Sequence, residues 1–331
     1  MSRIPAAVLA LALMWWAVLY PGRAEGKDFF FGLALDGGPV TSDMIARAAS
    51  ETSLAPRMIV FFLQWPGPGG AGEFPRADLE AIEKARARPC LTWEPMRIEP
   101  DGREITIDYR DILAGKHDAY LTGFAQAARN WGRPFVMRFG HEMNLARYHW
   151  GTDREAYGPR SPGVYRAMFV YLVDLFRREK ADNVQWAFCP NAESQPHPNW
   201  DGAVWNRAGA YYPGDDYVDI LGMDGYNWGT TQELAVNGWD SRWMSFSEIF
   251  SDLHSELSNL SPAKPLIVFE TSSARPGGDR SAWVAEALAA ATAWGLEGLV
   301  WFQANKEVDW RLLPDKDGES IAAIRRRAGN D

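Results

Sequence analysis

Eight short apolar runs, each closed by turn residues, recur along the chain at residues 29–35, 58–63, 89–93, 135–139, 184–188, 218–223, 266–269 and 298–302. Most are apolar at consecutive rather than alternate positions, the pattern of parallel strands buried on both faces. Between them lie stretches with helical spacing, for example 42–50, 77–86, 118–130, 162–179, 247–257 and 280–293. Strand and helix alternate throughout, which predicts an α/β fold made of a single (β/α)8 TIM barrel. An open doubly wound sheet is the competing arrangement. It lacks its usual glycine-rich turn, since Leu35-Asp36-Gly37-Gly38-Pro39 follows the first run.

The N-terminus departs from this rhythm. Arg3 precedes an unbroken apolar stretch over residues 6–19, followed by Tyr20-Pro21-Gly22-Arg23-Ala24. That layout predicts a signal peptide over 1–24, cut after Ala24, with one barrel domain over 25–331 and a secreted or periplasmic protein. The bulky Trp15-Trp16 leaves an uncleaved anchor as the alternative.

Charge narrows the partners. The chain carries −9, and removal of 1–24 would take Arg3 and Arg23 and leave −11. An acidic surface repels phosphate backbones, so a neutral polymer is expected rather than nucleic acid. Cys90 and Cys189 each sit in or beside an apolar run without metal-binding spacing and read as core residues. No cofactor or metal is expected, and a monomer not held to the membrane after signal cleavage is the simplest state.

The chemistry gathers at the strand ends. Gln64-Trp65, Trp93-Glu94, His141-Glu142, Cys189-Pro190-Asn191, Asp224-Gly225-Tyr226-Asn227-Trp228, Glu270 and Trp301-Phe302-Gln303 each follow or close an apolar run. In a parallel barrel these ends share one face. Aromatic rings there suit pyranose faces, and carboxylates and amides suit hydroxyls. Glu142 and Glu270 are the outstanding pair, because two carboxylates sharing one substrate are the equipment for cleaving a glycosidic bond. A zinc site at His141-Glu142 would require a second histidine where Leu145 stands. Ser272 and Ser273 lack a nucleophile elbow.

Arg138-Phe139-Gly140-His141-Glu142-Met143-Asn144 resembles the strand 4 signature of glycoside hydrolase family 26, in clan A of the retaining (β/α)8 glycosidases. Asp224-Gly225-Tyr226, Glu270 and Trp301 match the same family in order and spacing. The resemblance implies Glu142 as acid/base and Glu270 as nucleophile, with their carboxyls about 5–5.5 Å apart as in retaining enzymes. It also implies that Arg138 and Tyr226 hold Glu270, that His141 bonds Glu142 or the sugar, and that Trp301 supports the sugar. Asp224, Trp93, Glu94, Trp65 and Tyr148 complete the expected substrate contacts. Two positions depart from the mannanases of the family, where Glu94 and Arg147 stand. They favour a β-glucan or a bacterial exopolysaccharide over mannan, cleaved by an endo-acting hydrolase. A carbohydrate-binding barrel without catalysis and a transglycosylase using the same glutamates are the alternatives.

Overall fold

A computed structural model describes residues 29–67, 70 and 72–329. The expected signal peptide over 1–24 lies outside the described residues. No helix among them is long and apolar enough to cross a membrane.

All eight expected strands are present: β1 (Phe30–Ala34), β2 (Met58–Gln64), β3 (Arg88–Glu94), β6 (Phe135–Phe139), β7 (Val184–Phe188), β8 (Ile220–Asn227), β9 (Leu266–Ser273) and β10 (Gly298–Phe302). They close into one barrel in the order β1-β10-β9-β8-β7-β6-β3-β2, with every pairing parallel. A small antiparallel hairpin, β4 (Met96–Ile98) with β5 (Glu104–Thr106), rises from the end of β3. The helices on the outside are α1 (Ser42–Thr52), α2 (Arg76–Lys84), α3 (Tyr109–Leu113), α4 (Asp118–Trp131), α5 (Ser161–Arg178), α6 (Leu234–Asn237), α7 (Phe246–Leu260), α8 (Arg280–Ala293) and α9 (Pro314–Ala328). Local signals set their ends. Pro162 opens α5, and Ser245 and Glu248 form a capping box on α7.

Two differences from the sequence reading have physical causes. β8 and β9 run past their apolar segments, because Asp224–Asn227 pair with Glu270–Ser273 beyond a register shift between Met223 and Asp224. The connection from β7 to β8 holds only two short 3-10 turns, Val204–Asn206 and Ala208–Tyr211, in place of a full helix. Pro190, Pro196, Pro198 and Pro213 fall along this stretch, and proline removes the donor that a helix interior needs.

Period-two alternation divides each strand between two cores. Met58, Val60, Cys90, Val136, Ala187, Ile267 and Val300 pack within the barrel, whereas Ile59, Leu91, Phe135, Met137, Phe188 and Val268 meet the helices. Each fully buried Val, Leu, Ile, Phe or Met contributes roughly 1.5–3 kcal/mol. Both cysteines are buried and free, as the sequence indicated. Gly222 leaves the interior room: a Cβ there would lie 2.7 Å from Cys189 Sγ.

Candidate active site

Arg138, the fourth residue of β6, points into the barrel and is fully buried. Its guanidinium is held on every side. Nε and Nη2 donate to Thr92 Oγ1 at 3.0 and 2.7 Å, Nη1 donates to Asp224 Oδ2 at 2.6 Å, and Nη2 donates to Glu270 Oε1. Tyr226 donates its hydroxyl to the other oxygen of Glu270 at 2.6 Å. A planar fork fixed by three residues orients the Glu270 carboxyl more firmly than a single flexible ammonium could. Burial pushes Asp224 well above the usual carboxylate range against the pull of Arg138, and the charges of Glu270 and Glu142 add to the rise.

Glu142 lies beyond the end of the same strand. It has a φ of +52°, in the left-handed region that a glutamate seldom occupies, and its N–H donates to Cys189 O at 2.8 Å. Such a conformation costs about 1–3 kcal/mol and persists only where the surroundings enforce it. Gly140, two residues earlier, has the same φ of +52°. The turn between them aims Glu142 at the barrel mouth, where Asn191 donates its amide to Oε1 at 2.6 Å. Burial is the main cause that raises the Glu142 carboxyl to about 7, and the charge of Glu270 adds to it, while Asn191 and Arg138 pull it down.

Asn191 is itself fixed. Asn144 Oδ1 accepts the Asn191 N–H at 2.8 Å, and Asn144 Nδ2 donates to Asn191 O and Ser194 Oγ, each at 2.9 Å. Sequence reading found the strand end at Asn191 but not this role, which depends on a contact spanning 49 residues.

A fourth carboxyl joins Glu270, Asp224 and Glu142 at this end of the barrel. Glu94 is buried and accepts from Gln64 Nε2 at 2.5 Å. Burial raises it to about 7, with Gln64 opposing and Glu270 assisting. His141 Nδ1 stands 3.9 Å from Glu94 Oε1 with no hydrogen-bond partner. Burial first, and the charge of Arg138 next, hold this imidazole well below its ordinary value, so it is neutral near pH 7. The Tyr148 ring lies 4.8 Å from His141 and stacks on Trp150 at 5.0 Å. Glu94 does not pair with Arg97, which bonds Glu99 instead. Arg147 is committed to Glu104 of β5 at 2.5 Å, so its donors brace the hairpin rather than point freely at a sugar.

The structure therefore brings together Arg138, His141, Glu142, Asp224, Tyr226, Glu270 and Glu94, with Tyr148 against His141. It corrects three expected sugar contacts. Trp93 is fully buried and stacks on Phe124 of α4 at 4.7 Å. Trp65 packs on Trp93 at 5.0 Å, and Trp301 sits against Trp283 of α8 at 6.2 Å with its indole N–H on Trp310 O. Alternation is the reason: Trp93 falls between inward Thr92 and Glu94, Trp65 follows inward Gln64, and Trp301 falls between inward Val300 and Phe302. The rings beside Tyr226 are Trp310, at 5.1 Å, Phe302, at 5.8 Å, and Trp228, at 6.5 Å. Period-two counting from Asp224 would have singled out Trp228. Trp310 lies in a loop with no such signal.

A closed parallel barrel with acidic and aromatic side chains gathered at the carboxyl ends of its strands defines a (β/α)8 protein of the enzyme type. Residues 103–249 match the family model for glycosyl hydrolase family 26. Endoglucanase H of Acetivibrio thermocellus is 36% identical over 245 residues, covering 72% of this chain, and the chain spans only 24% of that relative's length. A mannan endo-1,4-beta-mannosidase of Bacillus subtilis (strain 168) is 26% identical over 143 residues, covering 40% of this chain and 34% of the relative. Among solved structures, a family 26 beta-mannanase from Bacteroides ovatus superposes with a TM-score of 0.61 at 18% identity, covering 91% of this chain and 90% of that one. The chain belongs to glycosyl hydrolase family 26.

Proposed function

We propose that this protein is a retaining, endo-acting β-glycoside hydrolase of a neutral β-linked polysaccharide, with Glu142 as acid/base and Glu270 as nucleophile. The observation that carries the reading is the unequal setting of two carboxyls at one mouth. Glu142 is buried, raised to about 7 and supplied with one amide donor, whereas Glu270 receives both a guanidinium and a phenol. Pairs whose surroundings differ in this way divide the roles of acid and nucleophile.

In the first step Glu270 attacks the anomeric carbon while Glu142 gives its proton to the departing glycosidic oxygen. A glycosyl-Glu270 ester forms and the shortened chain leaves. In the second step Glu142, now a carboxylate, takes a proton from water as that water attacks the same carbon, and Glu270 is released. Arg138 and Tyr226 keep the attacking oxygens in place through both steps.

β-Glucan is favoured over mannan. Glu94 offers a buried carboxyl to hydroxyls and no stacking face, and the relative with 36% identity is named an endoglucanase, against 26% to 31% for the relatives named mannan endo-1,4-beta-mannosidases. Reducing-sugar release from a panel of mixed-linkage β-glucan, locust-bean mannan and bacterial exopolysaccharides tests this. Release from β-glucan or an exopolysaccharide is expected to outrun release from mannan. Faster cleavage of mannan would overturn the substrate reading, and no release from any polymer would overturn hydrolysis. Export follows from the N-terminal layout as part of the same proposal, since such polymers lie outside the cell.

Asn191 provides a further check with a definite sign. Its amide bonds the ionised form of Glu142, so removal raises the pKa and keeps the acid protonated to higher pH. A hydrogen bond to a charged group is worth roughly 1.5–3 kcal/mol, and a pKa unit about 1.4 kcal/mol. In Asn191→Ala the alkaline limb of kcat/KM is expected to move up by about one unit. A downward shift would contradict the assignment of Glu142.

A further inference from the structure

The rings beside Tyr226 continue outward. Trp310 lies 5.1 Å from Tyr226, Trp228 lies 5.0 Å from Trp310, and Trp239 lies 5.5 Å from Trp228. The series starts at the phenol that bonds Glu270 and ends at a tryptophan 43% exposed to solvent. Such a ring exposes apolar area that a folded chain ordinarily covers. Ser241 N–H donates to Gln232 O at 3.1 Å, the Gln232 N–H donates to Ser241 Oγ at 2.9 Å, and the Leu234 N–H donates to Asp240 Oδ1 at 2.7 Å. These bonds tie off the loop that carries Trp239. The ring is therefore held out by a braced loop, so a ligand would find its stacking face already in place.

We infer that Trp239, backed edge-on by Trp228, is a stacking subsite for a pyranose of the β-glycan chain remote from the bond that is cut. The inference rests on the proposed hydrolase reading for its occupant. Tyr226, Trp228 and Trp239 lead outward from the mouth that holds Glu142 and Glu270, with the buried Trp310 packed behind them, and a sugar chain is an extended ligand whose apolar pyranose faces suit indole. A chain long enough to reach Trp239 gains the contact, whereas a short substrate occupying only the mouth does not.

The test compares Trp239→Ala and Trp239→Phe with the wild type on barley mixed-linkage β-glucan and on 2,4-dinitrophenyl β-cellobioside. Trp239→Ala is expected to lose about tenfold in kcat/KM on the polymer, chiefly through KM, and to stay within about twofold on the aryl glycoside. Trp239→Phe is expected to recover most of the loss, since it restores an aromatic face. Equal loss on both substrates would show that the ring only supports the mouth, and unchanged action on the polymer would show that no sugar reaches it. Either result overturns the subsite. Affinity electrophoresis in β-glucan keeps the two readings apart. A wild type that is retarded but does not hydrolyse fails the catalytic reading alone, and the subsite then stands if Trp239→Ala abolishes retardation and falls if it does not. A wild type that neither cleaves nor is retarded overturns the subsite as well.

Discussion

Glu270→Ala is expected to abolish turnover of every substrate, polymer and activated aryl glycoside alike. Without the carboxyl no glycosyl-enzyme can form, so a better leaving group cannot compensate. The loss should be roughly 10⁴-fold or more, comparable to the removal of other enzymatic nucleophiles. The change also leaves Arg138 and Tyr226 without their shared partner. A buried guanidinium deprived of a carboxylate destabilises the fold, so circular dichroism should accompany the assay, and Glu270→Gln supplies a variant that keeps the volume. Full activity of Glu270→Gln on the aryl glycoside would contradict the assignment.

Glu142→Ala should behave differently. On polymer the loss of the general acid is expected to cost about 10²–10⁴-fold. On an aryl glycoside whose leaving group needs no proton, the first step survives and the ester on Glu270 accumulates, because no base remains to activate water. Added azide should then restore turnover and yield a glycosyl azide. A burst of released phenol followed by a slow phase, relieved by azide, is the expected signature. Equal and unrescued loss in both mutants would mean that the two glutamates do not divide the roles in this way.

The sequence carried the fold further than the site. Parallel strands buried on both faces leave consecutive apolar runs, so the eight strands could be read one by one, and the strand ends delivered Glu142, Glu270, Asp224 and Tyr226. The failures share one physical origin. Trp65, Trp93 and Trp301 stand at strand ends in the sequence, yet a strand turns successive side chains to opposite faces, and these three fall on the face toward the helices. Counting alternation from inward Glu94 or Asp224 would have separated them from Trp228. The backbone at Glu142 is a different matter. Nothing in His141-Glu142-Met143 announces a left-handed glutamate, because that conformation is enforced by surroundings such as the Cys189 carbonyl, 47 positions along the chain. Asn191 and Asn144 were hidden for the same reason, their value lying in a reciprocal contact between loops rather than in a local motif. The absence of a helix after β7 was legible in its prolines, but strict alternation of strand and helix suggested regularity.

The central claim is a covalent intermediate on Glu270, and trapping it is the most direct measurement. The 2,4-dinitrophenyl 2-deoxy-2-fluoro glycoside of the disaccharide matching the cleaved polymer slows the second step more than it slows departure of its leaving group. After incubation and proteolysis, mass spectrometry is expected to find one fluoroglycosyl adduct per chain, on the peptide that contains Glu270 and on that residue. An adduct on Glu142 or another residue, or active enzyme that forms no adduct and releases sugar of inverted configuration, would contradict the account.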